Sequence, residues 1–75
     1  MPKLPRISGH DAVRAPERLG FVAVRQRGSH VVLKRVVDQS TQGCVVPMHK
    51  ELAIGTLHSL LRQAQVSVEE FIAHL

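Results

Sequence analysis

Two short runs of mixed apolar and polar positions, Phe21 to Arg27 and His30 to Val37, are rich in β-branched residues. Such runs predict a pair of strands. Only Gly28-Ser29 lies between them, the pattern of a two-residue hairpin turn with glycine at its first central position. The turn sets the register: pairing Arg27 with His30 puts Arg25 opposite Val32 and Ala23 opposite Lys34. One face then carries Arg25, Arg27, His30 and Lys34, and the other carries Val22, Val24, Val31, Leu33 and Val37. The apolar face is expected to receive helices, leaving the basic face open. A slip of a single residue would exchange the two faces, so the inference depends on the turn.

The flanking segments supply helices and a further strand. Ser8 ahead of Gly9-His10-Asp11 predicts a helix start, with Ala12, Val13 and Leu19 facing inward and Gly20 in the C′ position. Pro16 lies inside this helix and predicts a kink or break near Ala15, because proline removes a backbone donor and crowds the carbonyl of the preceding turn. Asp38-Gln39-Ser40-Thr41-Gln42-Gly43 predicts a polar connection, and Cys44-Val45-Val46-Pro47-Met48 a short third strand that Pro47 ends or leaves at an edge. His49-Lys50-Glu51 follows as a loop. Leu57, Leu60, Leu61 and Ala64 then recur at helical spacing, predicting a helix from about Ile54 to Gln65. Ser67-Val68-Glu69-Glu70 is a capping box opening a final short helix through Phe71, Ile72 and Leu75. The expected class is α+β, a single domain over residues 1–75 with a three-stranded antiparallel sheet and helices on one face.

Composition narrows what such a domain can do. A chain of 75 residues is expected to bury only about 60–65% of its unfolded surface and to have modest stability. A lone Cys44 excludes an internal disulfide and fits a reducing compartment. The start of the chain, Met1 to Arg6, lacks the apolar run of a signal peptide, and no stretch reaches the roughly 20 apolar residues of a membrane span. A soluble cytoplasmic protein is therefore expected. Ten Lys and Arg against six acids leave a formal charge of +4, with Lys3, Arg6, Arg14, Arg18, Arg25, Arg27, Lys34 and Arg35 all in the first half. That asymmetry suits a polyanion, nucleic acid first, or an acidic protein surface. With no Trp or Tyr, and with Phe21 and Phe71 in core patterns, base stacking gives way to phosphate contacts.

Taken by themselves, the residues leave the chemistry open. His30 at the hairpin end either shields that end or moves protons, since an imidazole with its ordinary pKa of about 6.5 serves as acid or base. Arg25, Arg27 and Lys34 are either ordinary exposed cations or groups that hold a phosphate and offset charge developing on its oxygens. Gly28 and Ser29 fill the turn, with Ser29 also able to donate to phosphate. His49 and Lys50 are a solvated loop or approach an RNA backbone. His10, His30, His49, His58 and His74 have no metal-ligand spacing and no accompanying carboxylate cluster, so no metal and no cofactor is expected.

Four motifs in order carry a resemblance. Leu19-Gly20-Phe21, Arg27-Gly28-Ser29-His30, Val46-Pro47-Met48-His49-Lys50, and Gly55-Thr56-Leu57 with Leu60-Leu61-Arg62-Gln63-Ala64 closely resemble the HicA (YcfA-like) toxin family, over about Lys3 to Phe71. The resemblance implies a double-stranded-RNA-binding-like α-β-β-β-α fold. It also implies the toxin of a type II toxin–antitoxin pair, an endoribonuclease that cleaves mRNA and is neutralised by a HicB antitoxin. The catalytic histidine of the family's Gly-Ser-His motif falls on His30. The chain departs from the family at Pro16, where a helix-forming apolar residue is usual. Two competing expectations remain beside the nuclease: a noncatalytic RNA-binding module of the same fold, and a protein-interaction domain whose basic face meets an acidic partner.

Overall fold

The hairpin that the Gly28-Ser29 turn predicts is present in the computed structural model, which describes residues 3–75. Met1 and Pro2, the first residues of the expected domain and of the segment read as lacking a signal peptide, lie outside the described residues. The elements run α1 (Gly9–Arg18), β1 (Val22–Arg27), β2 (His30–Val37), β3 (Ser40–Pro47), α2 (Ile54–Ala64) and α3 (Val68–Ala73). The strands form an antiparallel sheet of order β1-β2-β3, so the α+β architecture expected from the sequence is the observed one.

α1 begins where the sequence predicts. The hydroxyl of Ser8 accepts from the Asp11 amide at 3.2 Å, satisfying one of the orphan donors of the first turn. Gly20 follows the helix with φ of +98°, the C′ conformation that favours glycine. The break expected near Ala15 does not occur, and the helix continues through Pro16 to Arg18. Pro16 lies in the last turn; it has no amide to donate back to the Ala12 carbonyl, but its own carbonyl accepts from Leu19 at 2.9 Å and from Phe21 at 3.0 Å. Ala12, Ala15 and Pro16 are buried, so the proline ring is part of the packed face.

β1 corrects the expected faces. Arg27 pairs with His30 and Arg25 with Val32, but the register shifts between Ala23 and Arg25, so Lys34 pairs with Val22 rather than Ala23. This bulge adds a residue on β1 and turns Val22 to the face of Lys34. Val22 and Val24, expected in the core, are exposed at 62% and 54%, and Val37 is also outside it. Val31 and Leu33 are buried as expected.

β3 is longer than expected. The polar segment Ser40–Gly43 pairs with β2, and the connection reduces to Asp38-Gln39, whose φ values of +49° and +67° make a tight turn. Positive φ at both central residues matches the right-handed twist of a hairpin, and Asp38 is of a type that tolerates it.

The core gathers on the inner face. Leu33 and Val46 from the sheet meet Leu57, Leu60, Leu61 and Ala64 of α2 and Phe71 of α3, all buried, together with Phe21, Leu4 and Leu52. The spacing that predicts α2 is thus the spacing of its buried side chains. Gln65, placed at the end of the helix by the sequence, is its left-handed C-cap with φ of +58°. Ser67 caps α3 by accepting from the Glu70 amide at 3.1 Å, and the helix stops at Ala73, leaving Leu75 exposed. Among the described residues no helix is long and apolar enough to cross a membrane.

Candidate functional site

Turn chemistry sets the position of His30. Gly28 has φ of +55° with open space where a Cβ would stand, so backbone conformation rather than packing calls for glycine. Positive φ at the first central residue alone is the II′ arrangement, which joins Arg27 directly to His30 across the hairpin. His30 opens β2 in the middle of the sheet, with Arg27 opposite it on one side and Pro47 on the other. Its side chain is exposed.

Cross-strand partners share a face, so the register assigns the outer surface row by row. The first row is Arg27, His30 and Pro47; the second is Arg25, Val32 and Val45; the third is Val22, Lys34 and Gly43. The sequence reading therefore places Arg25, Arg27, His30 and Lys34 on one face correctly, despite the bulge. All four are exposed. The valines between them were not foreseen: Val22, Val36 and Val45 are exposed at 62%, 71% and 42%, making the outer face a mixture of apolar and cationic side chains.

The loop after β3 is tied to this end of the sheet. The Met48 amide donates to the Ser29 carbonyl at 2.6 Å, which extends the β2–β3 pairing by one rung past Pro47. The His49 carbonyl accepts from the Gly9 amide at 2.8 Å, and Leu52 donates to the Ile7 carbonyl at 2.7 Å, so the segment before α1 runs against residues 49–52. Gly9 permits this approach, because a Cβ there would stand 2.4 Å from the Pro47 carbonyl oxygen and 2.6 Å from the Met48 Cα. Ser29, His30, His49, Lys50 and the first turn of α1 are brought to one end of the fold by these contacts. His10, His49 and Lys50 are exposed there.

Arg35 follows Lys34 but belongs elsewhere. It lies on the inner side of β2, with its guanidinium carbon 4.5 Å from the centroid of the Phe21 ring. It donates to the Leu19 carbonyl at 2.8 Å and to Gln42 Oε1 at 2.6 and 3.1 Å. This cation fastens β2 to the end of α1 and to β3, and the basic count of the sequence does not separate it from the open-face cations. Burial pushes the Cys44 thiol up to about 11, which makes it a poor nucleophile at neutral pH. Among the described residues no group of three His, Cys, Asp or Glu side chains gathers in an arrangement able to hold a metal ion.

Comparison with known proteins bears on this arrangement. The family model described as "HicA toxin of bacterial toxin-antitoxin" matches residues 9–66, from the first turn of α1 to just beyond α2, a span that includes the whole outer face, His30, His49 and Lys50. No curated protein matches the chain.

Proposed function

The chain belongs to the HicA toxin family of bacterial toxin–antitoxin systems, and from that premise we propose that it is an endoribonuclease that cleaves mRNA in the cytoplasm and thereby arrests translation. The observation that carries the reading is the exposed position of His30 at the hairpin end of the central strand, with Arg27 beside it and Arg25 in the next row of the same open face.

Cleavage uses the RNA's own 2′-hydroxyl. His30 takes the proton of that hydroxyl as its oxygen attacks the adjacent phosphorus, and Arg27 and Arg25 offset the charge growing on the phosphoryl oxygens. Lys34 stands four residues along β2 from His30, about 13 Å at the usual strand rise, so it meets a different phosphate of the bound strand. Gly28 serves by shaping the turn, and Ser29 by holding the post-β3 loop through its carbonyl. Lys50 follows the backbone of the RNA beyond the cleaved bond.

The same face is the surface that a HicB-type antitoxin covers. Exposed valines surrounded by cations suit a partner with an apolar centre and an acidic rim, and covering them removes His30 from RNA. Incubation of the purified protein with a long single-stranded RNA in excess EDTA tests the nuclease. Fragments with 2′,3′-cyclic phosphate and 5′-hydroxyl ends are the expected products; bound but intact RNA would reduce the chain to a noncatalytic RNA-binding module.

A further inference from the structure

We propose that His49 is a second catalytic residue, the acid that protonates the departing 5′-oxygen while His30 takes the 2′-hydroxyl proton; the inference rests on the nuclease reading given above. An in-line displacement at phosphorus needs its base and its acid on opposite sides of the reacting phosphate. The first row of the outer face supplies one histidine, and the loop after β3 supplies the other.

Register gives the spacing. His30 pairs with Pro47, the Met48 amide still bonds to the Ser29 carbonyl at 2.6 Å, and the next carbonyl, that of His49, accepts from the Gly9 amide, so the pairing reaches one residue past the end of β3. Met48 packs against the core, and the alternation of an extended chain turns the next side chain to the face of Pro47 and His30. His49 is then the diagonal neighbour of His30, two residues beyond its direct partner, at a Cα separation of about 7–8 Å. Two imidazoles at that distance leave room for a phosphate between them. His49 is exposed, and its backbone is held by the bond from the Gly9 amide to its carbonyl at 2.8 Å. That bond fixes the backbone from which the imidazole projects.

The protons and bonds balance without a further reactant. The O2′–P bond forms as the P–O5′ bond breaks, one proton passes from the 2′-hydroxyl to His30, and one passes from His49 to O5′. The products are a 2′,3′-cyclic phosphate and a 5′-hydroxyl, and the two histidines regain their starting protonation through water.

A leaving group that needs no proton separates this role from RNA contact. The assay compares an RNA oligomer with the same oligomer carrying sulfur in place of O5′ at one bond, for the parent, His30→Ala, His49→Ala, His49→Gln and His10→Ala proteins, each shown folded by circular dichroism. Both His49 variants are expected to lose about 10²–10⁴-fold on the ordinary oligomer, the usual share of a general acid, and to fall within about tenfold of the parent on the sulfur oligomer. His30→Ala should lose activity on both. Equal losses of the His49 variants on the two oligomers, ordinary cleavage by them within a few-fold of the parent, or a selective sulfur rescue of His10→Ala would each overturn the inference while leaving the nuclease intact. Failure of the parent to cleave the ordinary oligomer would remove both.

Discussion

The guanidinium of Arg35 lies 4.5 Å from the centroid of the Phe21 ring and bonds to the Leu19 carbonyl, whereas Lys34, its neighbour in the chain, is exposed on the opposite side of β2. Adjacent cations on a strand therefore do separate work. Arg35→Met should lower stability by about 1–3 kcal/mol, the sum of a cation–π contact and charged hydrogen bonds. The melting temperature should drop by several degrees. Lys34→Ala should leave melting nearly unchanged and weaken RNA binding, with a shallower dependence on salt because one counterion fewer is released. Equal melting curves for the two variants would contradict this division.

Gly9→Ala offers an unusual sign. In an exposed helix interior alanine gains about 1 kcal/mol over glycine. At Gly9 the added methyl would press on the Pro47 carbonyl and the Met48 Cα, at 2.4 and 2.6 Å. Overpacking of this kind costs about 1–3 kcal/mol. Thermal unfolding should show a net loss of stability, and cleavage should fall further than stability does, since the loop that carries His49 must move. A variant more stable than the parent would show that α1 does not press on that loop.

Val36 is 71% exposed on the outer face, away from the row that contains His30. Val36→Glu places a negative charge where an acidic-rimmed antitoxin would sit, and should weaken neutralisation by at least about tenfold through like-charge repulsion. RNA cleavage by the free protein should change by only a few-fold. Unaltered neutralisation, measured by titrating cleavage with the cognate antitoxin, would place the partner elsewhere.

Cys44 gives a pH dependence with a definite sign. Burial raises its folded value from 9.0 to about 11, so the folded state holds the proton more tightly than the unfolded chain does. The resulting stability is complete below about pH 9 and is lost as pH rises through about 11. Melting of the parent should decline more steeply than that of Cys44→Ala across this interval. Parallel curves would show that the thiol is not desolvated in the fold.

Much of the site was legible because one turn controls it. Gly28-Ser29 specifies a II′ hairpin, and from that turn the shared face of Arg25, Arg27, His30 and Lys34 follows by alternation alone. The bulge at Val24 left no comparable mark, and it moved Val22 to the outer face while preserving the cations. The turn at Asp38-Gln39 was hidden because neither residue is glycine and the paired segment Ser40–Gly43 is polar, as a loop would be. Pro16 misled in the other direction: a helix breaker by local chemistry, it sits in a last turn whose packing against the core tolerates it. The ties from Gly9 to His49 and from Met48 to Ser29 join residues distant in the chain through backbone atoms. No side-chain pattern announces such bonds, although a glycine opening a helix just after its cap was a signal of close approach.

The measurement that bears most directly on the central claim is cleavage of a long single-stranded RNA by the parent and by His30→Ala, both folded, in excess EDTA. Rapid fragmentation by the parent, with the variant slower by at least about 10²-fold, is the predicted result. Equal cleavage by the two proteins, or RNA left intact by a parent protein that binds it, would contradict the claim that His30 makes this fold a ribonuclease.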